Sequence, residues 1–197
     1  MEQAPSFLYR FARFVCCCFF KIGWRFEIKG HENIPPTGPV LIAANHRSLA
    51  DPPLVGVGVS RPVHFLAKKE LFNFRPFGWL IENLNAHPLD RKAGVAAMRE
   101  AQRLLESGSI VIVFPEGKRI KDDALARPKA GVGLLALKTG AAVVPAYIHN
   151  SGHMTQLKKI SITFGSPINP EKFESYESFA AQVMLKIQEL KDETIEP

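Results

Sequence analysis

The sequence predicts an α/β fold: a mostly parallel central sheet flanked by helices. Three observations predict it. Short, fully apolar runs of strand length, such as Val40–Ala44 and residues 110–114, are too short for core helices and end in turns. Longer segments with apolar residues at three- and four-residue steps alternate with them, as layers of helix over a parallel sheet require. The segments richest in ionisable residues directly follow the apolar runs, where such sheets place their sites.

Each element follows in order. Residues 24–28, Trp-Arg-Phe-Glu-Ile, alternate with period two and read as a strand ending at Gly30. Pro35-Pro36-Thr37-Gly38 is a turn before the apolar strand Val40–Ala44. Asp51-Pro52-Pro53 reads as a helix start, with Asp51 as N-cap and proline in the first turn. Residues 63–66 form the next strand candidate. Residues 71–84 are aromatic-rich and read as partly helical, broken near Pro76. Residues 92–107 form a helix with Val95, Met98, Ala101, Leu104 and Leu105 inward, ended by Gly108. The strand at 110–114 follows, then a helix at 131–138 closed by Gly140. Strands at 141–148 and 160–164 precede an amphipathic helix at 175–191, with Phe179, Val183, Ile187 and Leu190 inward.

The N-terminal segment is read separately, as residues 1–23, with the main domain at 24–197. Phe7, Leu8, Phe11, Phe14, Val15, Cys18, Phe19 and Ile22 recur on one helical stripe, flanked by Arg10, Arg13, Lys21 and Arg25. The longest uncharged run, residues 14–20, falls far short of the roughly 20 residues a spanning helix needs. A secretory signal is not expected either: Glu2 sits in the n-region and no small-x-small cleavage site follows. An amphipathic helix with bulky aromatics and flanking cations suits a bilayer interface. The competing expectation is a helix that covers this protein's own core.

The formal charge is +6 over 197 residues. Residues 170–197 hold seven acidic and three basic side chains, a net −4, so the rest of the chain carries about +10. A basic body favours nucleic acid, an anionic membrane or phosphorylated small molecules. No nucleic-acid-binding module is recognisable, and none is expected as partner. The three cysteines, Cys16, Cys17 and Cys18, are contiguous and odd in number, which suits a reducing compartment rather than a disulfide framework. His149 and His153 have loop spacing and no obvious further ligands, so no metal site is expected.

Four segments carry chemistry. Asn45-His46-Arg47-Ser48-Leu49-Ala50-Asp51 follows the Val40–Ala44 strand. On a continuous helix, residues five apart sit about 140° around the axis from each other. Contact between His46 and Asp51 therefore needs a strand-to-helix turn. A carboxylate on one imidazole nitrogen fixes the tautomer and frees the other to take a proton from an alcohol. A loop histidine beside a capping aspartate would have the same spacing. Phe114-Pro115-Glu116-Gly117-Lys118-Arg119 leaves the 110–114 strand. Its glycine permits close backbone approach, and Lys and Arg offer charge-assisted bonds to phosphate, as a solvated turn would also. Asp90-Arg91 and Val143-Val144-Pro145-Ala146-Tyr147 are the others; Lys68, Lys69 and Lys129 add cations.

In this order, over residues 26–165, the segments resemble the glycerolipid acyltransferase family, which includes the lysophosphatidic acid acyltransferases. Asn45, His46, Ser48 and Asp51 match the family's Asn-His-x-Ser-x-x-Asp block, and Asp90-Arg91 matches the arginine of its second. Phe114, Pro115, Glu116, Gly117 and Arg119 match Phe-Pro-Glu-Gly-Thr-Arg, and Val144-Pro145-Ala146 the fourth. Pro128-Lys129-Ala130-Gly131 keeps the Lys and Gly of the usual Phe-Lys-x-Gly. Lys118 stands where threonine is usual, and Asn83-Leu84-Asn85-Ala86 replaces a glycine-rich lead, both in head-group segments.

The resemblance implies a direct acyl transfer without an acyl-enzyme, and no cofactor. His46 would be general base and Asp51 its orienting partner. Arg91, Arg119, Lys129 and Lys68 would hold the acceptor phosphate, with Glu116 and Gly117 positioning the acceptor. The implied partners are membrane phospholipids, a lysophospholipid acceptor and acyl-CoA or acyl carrier protein. The implied location is peripheral or monotopic at the cytoplasmic face of a membrane. Alternatives are acylation of glycerol 3-phosphate or another lysophospholipid, or a non-catalytic membrane-binding protein of the same fold. No Gly-x-Ser-x-Gly elbow is present to support a covalent serine route.

Overall fold

The computed structural model describes residues 5–89, 94–120 and 124–195. Six helices and seven strands are described: α1 (Phe7–Trp24), β1 (Glu27–Lys29), β2 (Val40–Ala44), α2 (Asp51–Gly58), β3 (Val63–Lys68), α3 (Arg75–Asn83), β4 (Ala86–Leu89), α4 (Gly94–Glu106), β5 (Ile110–Val113), α5 (Gly131–Thr139), β6 (Ala142–His149), β7 (Ser161–Phe164) and α6 (Tyr176–Ile195). The strands form one sheet in the order β1-β7-β6-β2-β5-β3-β4. From β6 to β4 all pairings are parallel; β7 pairs antiparallel with β6 and carries β1 parallel to itself. The expected mostly parallel sheet is what forms.

β2 lies at the centre, and all five of its residues are buried. A strand covered on both faces must be apolar throughout, which explains the unbroken Val-Leu-Ile-Ala-Ala run. Its alternate residues feed two cores. Val40, Ile42 and Ala44 pack with Leu54, Val55 and Val57 of α2 and Phe20 of α1. Leu41 and Ala43 pack with Leu104 and Leu105 of α4, Leu135 of α5 and Phe179, Val183 and Ile187 of α6. On β3, Val63 joins the first core, and Ala67, two pleats on, packs against Ile81 of α3. So α1, α2 and α3 cover one face of the sheet, and α4, α5 and α6 the other.

Two boundaries differ from expectation. The strand expected at 24–28 begins only at Glu27, because α1 runs on through Trp24. Trp24 is held in the helix by its indole N–H, which donates to the Met154 carbonyl at 2.8 Å. Arg25, at φ 50°, then ends the helix, its N–H donating to the Lys21 carbonyl at 3.0 Å. The break expected near Pro76 falls at residues 73–74, between a 3-10 turn at Lys69–Phe72 and α3, where Pro76 as second residue has no N–H to lose. Asp51 is the first helical residue of α2 rather than its cap, and Ala50 caps without a side-chain bond. Pro53 has no N–H to offer a capping Asp51, and the Leu54 N–H already donates to the Ala50 carbonyl at 2.9 Å. The helix expected from Lys92 is described from Gly94, residues 92–93 lying outside the described residues. The expected helix-closing glycines hold: Gly108 and Gly140 take φ 84° and 66°.

α1 uses both its faces. Tyr9, Phe20 and the half-buried Cys16 and Cys17 face the protein; the Tyr9 hydroxyl accepts from the Val63 N–H at 3.0 Å, and Arg13 donates to the Val57 carbonyl at 3.2 Å. The other face exposes Phe7, Phe11, Phe14, Val15, Phe19 and Ile22, with Phe7 and Ile22 each 84% exposed. The core is therefore covered by the face opposite the apolar stripe read from the sequence. Among the described residues no helix is long and apolar enough to cross a membrane.

The two faces separate in a stability measurement. Phe20→Ala should cost about 3–5 kcal/mol in urea unfolding, the usual loss for a buried aromatic. Phe14→Ala, on the exposed face, should change stability by about 0.5 kcal/mol or less.

Candidate active site

The change of helix layer fixes where the crevice opens. β2 is followed by a helix on one face and its neighbour β5 by helices on the other, so the chain diverges at their carboxyl ends. The expected catalytic segments leave the sheet there, Ala43 of β2 standing opposite Val113 of β5.

Asn45 pins the exit of β2. Buried to 1% exposure, its side-chain amide donates to the Ile148 carbonyl at 3.0 Å, and its oxygen accepts from the Ile148 N–H at 2.7 Å. The chain then turns, and the buried Asp51 carboxylate reaches back over it. One oxygen, Oδ2, accepts from the backbone N–H of Arg47 at 2.6 Å and of Ser48 at 2.7 Å, and sits 2.8 Å from His46 Nδ1. The turn needed to bring His46 and Asp51 together is present. Ser48 bonds within it, its hydroxyl accepting from the Ala50 N–H at 3.2 Å and lying 3.8 Å from Met154 Sδ. With Nδ1 engaged, Nε2 is the imidazole nitrogen left to exchange a proton, and the ring keeps 18% exposure.

The β5 exit supplies the second wall. The Phe114 ring stacks on the His46 imidazole, centroids 4.0 Å apart and planes within 16°. Two bonds tie the segments: Glu116 Oε2 accepts from the His46 N–H at 3.4 Å, and the Ile120 N–H donates to the His46 carbonyl at 2.9 Å. Glu116 is buried, its other oxygen receiving the Ala126 N–H at 3.5 Å. Burial pushes its carboxyl above the usual range, against the opposing pull of the two N–H donors and of Arg47 and His46.

Gly117 and Lys129 meet. The Lys129 N–H donates to the Pro115 carbonyl at 2.9 Å, and the lysine side chain lies over Gly117. A Cβ on Gly117 would stand 2.8 Å from Lys129 Nζ, a flexible tip that can swing aside, but the backbone there takes φ 70°, which favours glycine. Arg119 is exposed on the same loop, one residue before Ile120. Lys68 is exposed at the end of β3, opposite Leu89 of β4, two strands away from β2. Arg91 lies outside the described residues, just beyond β4. Asn45 and Phe114 hold the histidine in ways local sequence does not signal, since their partners are 103 and 68 positions away. Among the described residues no three His, Cys, Asp or Glu side chains gather as a metal site.

The acyltransferase family model matches residues 25–149, which include this whole cluster. The chain belongs to the acyltransferase family. It is 29% identical to the 1-acyl-sn-glycerol-3-phosphate acyltransferase of Bacillus subtilis over 84% of this chain and 86% of that protein. It is 34% identical to a chloroplast enzyme of the same activity from Arabidopsis thaliana over 68% of this chain, but spans only 37% of that longer protein. The crystal structure of the 1-acyl-sn-glycerophosphate acyltransferase PlsC from Thermotoga maritima superposes with a TM-score of 0.80 and 28% identity, covering 96% of this chain and 82% of that one. The expected fold class and the O-acyltransferase type are borne out together by these relatives.

Glu116 leaves a pH signature. Its folded-state pKa is raised, so the native state binds the proton more tightly than the unfolded chain does. The stability this contributes is present at acid pH and fades as pH rises through the raised value, above the ordinary 4.5. Glu116→Gln should remove that slope from the midpoint of thermal unfolding, measured from about pH 4 to 8.

Proposed function

We propose that this chain transfers a fatty acyl group from an acyl thioester, acyl-CoA or acyl carrier protein, to the free hydroxyl of 1-acyl-glycerol-3-phosphate. The product is phosphatidic acid, for phospholipid biosynthesis. The observation that carries the reading is the 2.8 Å contact of His46 Nδ1 with a buried Asp51, at the carboxyl end of the central strand. It is supported by relatives named for this activity.

In this reading His46 Nε2 takes the proton of the acceptor hydroxyl as its oxygen attacks the thioester carbonyl. The tetrahedral adduct collapses with cleavage of the carbon–sulfur bond. The proton held on His46 passes to the departing sulfur, leaving an ester and a free thiol. Asp51 keeps the imidazole in the required tautomer and stabilises its charged form. The Phe114 face fixes the ring plane, so the base meets the hydroxyl without a search over rotamers.

Arg119, Lys129, Lys68 and, beyond the described residues, Arg91 hold the acceptor phosphate through charge-assisted bonds. Gly117 lets the acceptor approach the backbone under Lys129, and Glu116 positions it by fixing the wall that carries both. The exposed arc of α1 enters the acyl boundary of the membrane, with Arg10 and Lys21 at the headgroups, making the protein peripheral or monotopic at a cytoplasmic membrane face. No step calls for a cofactor. The formed His46–Asp51 pair favours this reading over a non-catalytic membrane protein of the same fold.

With lysophosphatidic acid present, His46→Ala should lower thiol release from acyl-CoA by about 10²–10⁴ or more, with thermal unfolding and vesicle binding retained. Near-normal turnover would overturn the mechanism. Asp51→Asn should also reduce kcat by at least about 10² while leaving acceptor KM within a few-fold, since it acts on the base and not on the head group.

A further inference from the structure

A second apolar surface stands apart from α1 and is not used by the chemistry. Phe74, at the N-cap of α3, is 68% exposed; Phe77 and Trp79, in its first two turns, are 42% and 60% exposed. Large aromatics belong in a core of this kind, and here three stand in solvent within six residues. The presentation is built rather than frayed. Gly78 is buried against the Phe72 backbone, where a Cβ would come within 2.7 Å of the Phe72 carbonyl oxygen. Ile81 anchors the helix on Ala67 and Ala86 beneath it. With that side committed to the sheet, Trp79 and the Phe74 tip have no core left to enter.

Its surroundings select the occupant. Lys68, Lys69 and Arg75 are exposed in the same segment as the aromatics, against two exposed acidic residues, Glu70 and Glu82, which leaves the segment net positive. Aromatic side chains with a cationic rim match the chemistry of a bilayer interface, where rings enter the acyl boundary and cations meet lipid phosphate. Tryptophan, apolar in body with one N–H donor, is the side chain most suited to that depth. The helix covers the same face of the sheet as α1, whose own exposed arc is aromatic. It also follows β3 after one 3-10 turn, Lys69–Phe72, at the sheet end where the His46 turn leaves β2.

We propose that Phe74, Phe77 and Trp79 form a second membrane-contact element, seated on an anionic bilayer, that works with α1 to turn the carboxyl end of the sheet toward the lipid. One helix lying in an interface leaves the body free to roll about that helix's axis. A second contact on the same layer removes that freedom and fixes how the site faces the surface from which a lysolipid must come. The proposal rests on the membrane reading of α1, and its test separates the two.

The probe is vesicles of phosphatidylcholine and phosphatidylglycerol, with and without dibrominated phosphatidylcholine as a quencher. The chain has two tryptophans, so the difference between the wild type and Trp79→Phe isolates Trp79. The expected result is a blue shift and bromolipid quenching of the Trp79 component on vesicle-bound protein. The double variant Phe74→Ser/Phe77→Ser should bind the same vesicles about 10-fold more weakly, with thermal unfolding unchanged and turnover of a short-chain, monomeric acceptor retained. Protein that sediments with vesicles while Trp79 stays unshifted and unquenched overturns the second contact but not the first. Protein that does not sediment at all overturns both, and leaves the reaction itself to the thiol-release assay. Lipid-free self-association that the double variant abolishes overturns it as well, because a second copy is then the occupant.

Discussion

A single carboxylate oxygen organises the candidate site. Asp51 Oδ2, buried at the start of α2, gathers two backbone N–H groups and His46 Nδ1 within 2.8 Å. A buried carboxylate is costly unless such donors surround it. Ahead of Asp51 the two prolines have no N–H and the Leu54 N–H is taken by the Ala50 carbonyl, and the carboxylate folds back on the turn before it. That turn is the segment leaving β2, and its closure decides where His46 stands. Phe114, Glu116 and Ile120 then bind the histidine to the exit of β5, making two neighbouring strand ends into one rigid unit.

The layering of the sheet gives this unit its surroundings. Helices α1, α2 and α3 share one face, and the chain crosses to the other only after β4. The described exposed aromatics gather mainly on the first layer, in α1 and α3, while the second layer closes over a conventional core. The division follows from chain order and pleat, since alternate residues of each strand serve opposite layers.

Much of this was legible in the chain itself. Apolar runs marked β2 and β5, glycines marked the ends of α4 and α5, and four ordered blocks marked the family. The misplacements have separate causes. Trp24 alternates with its neighbours as a strand would, but a hydrogen bond to Met154, 130 positions away, holds it in helix. Asp51 suits a cap by residue preference, but Pro53 has no N–H and the Leu54 N–H is taken by the Ala50 carbonyl.

By itself the sequence determined the alternation of strand and helix, the apolar central strand, the candidate pair His46 and Asp51, and the membership in an acyltransferase family. These are properties of period, composition and order, carried by neighbours along the chain. Only the tertiary structure decided that Asn45 ties β2 to β6, that Phe114 stacks on the imidazole and that Glu116 turns inward to the backbone of His46. It also decided that α1 buries Tyr9 and Phe20 while leaving its phenylalanine arc outside. A helical stripe records that a face is apolar; which of two faces meets the core depends on the shape of the sheet it lands on, and that shape is made by residues far away in sequence.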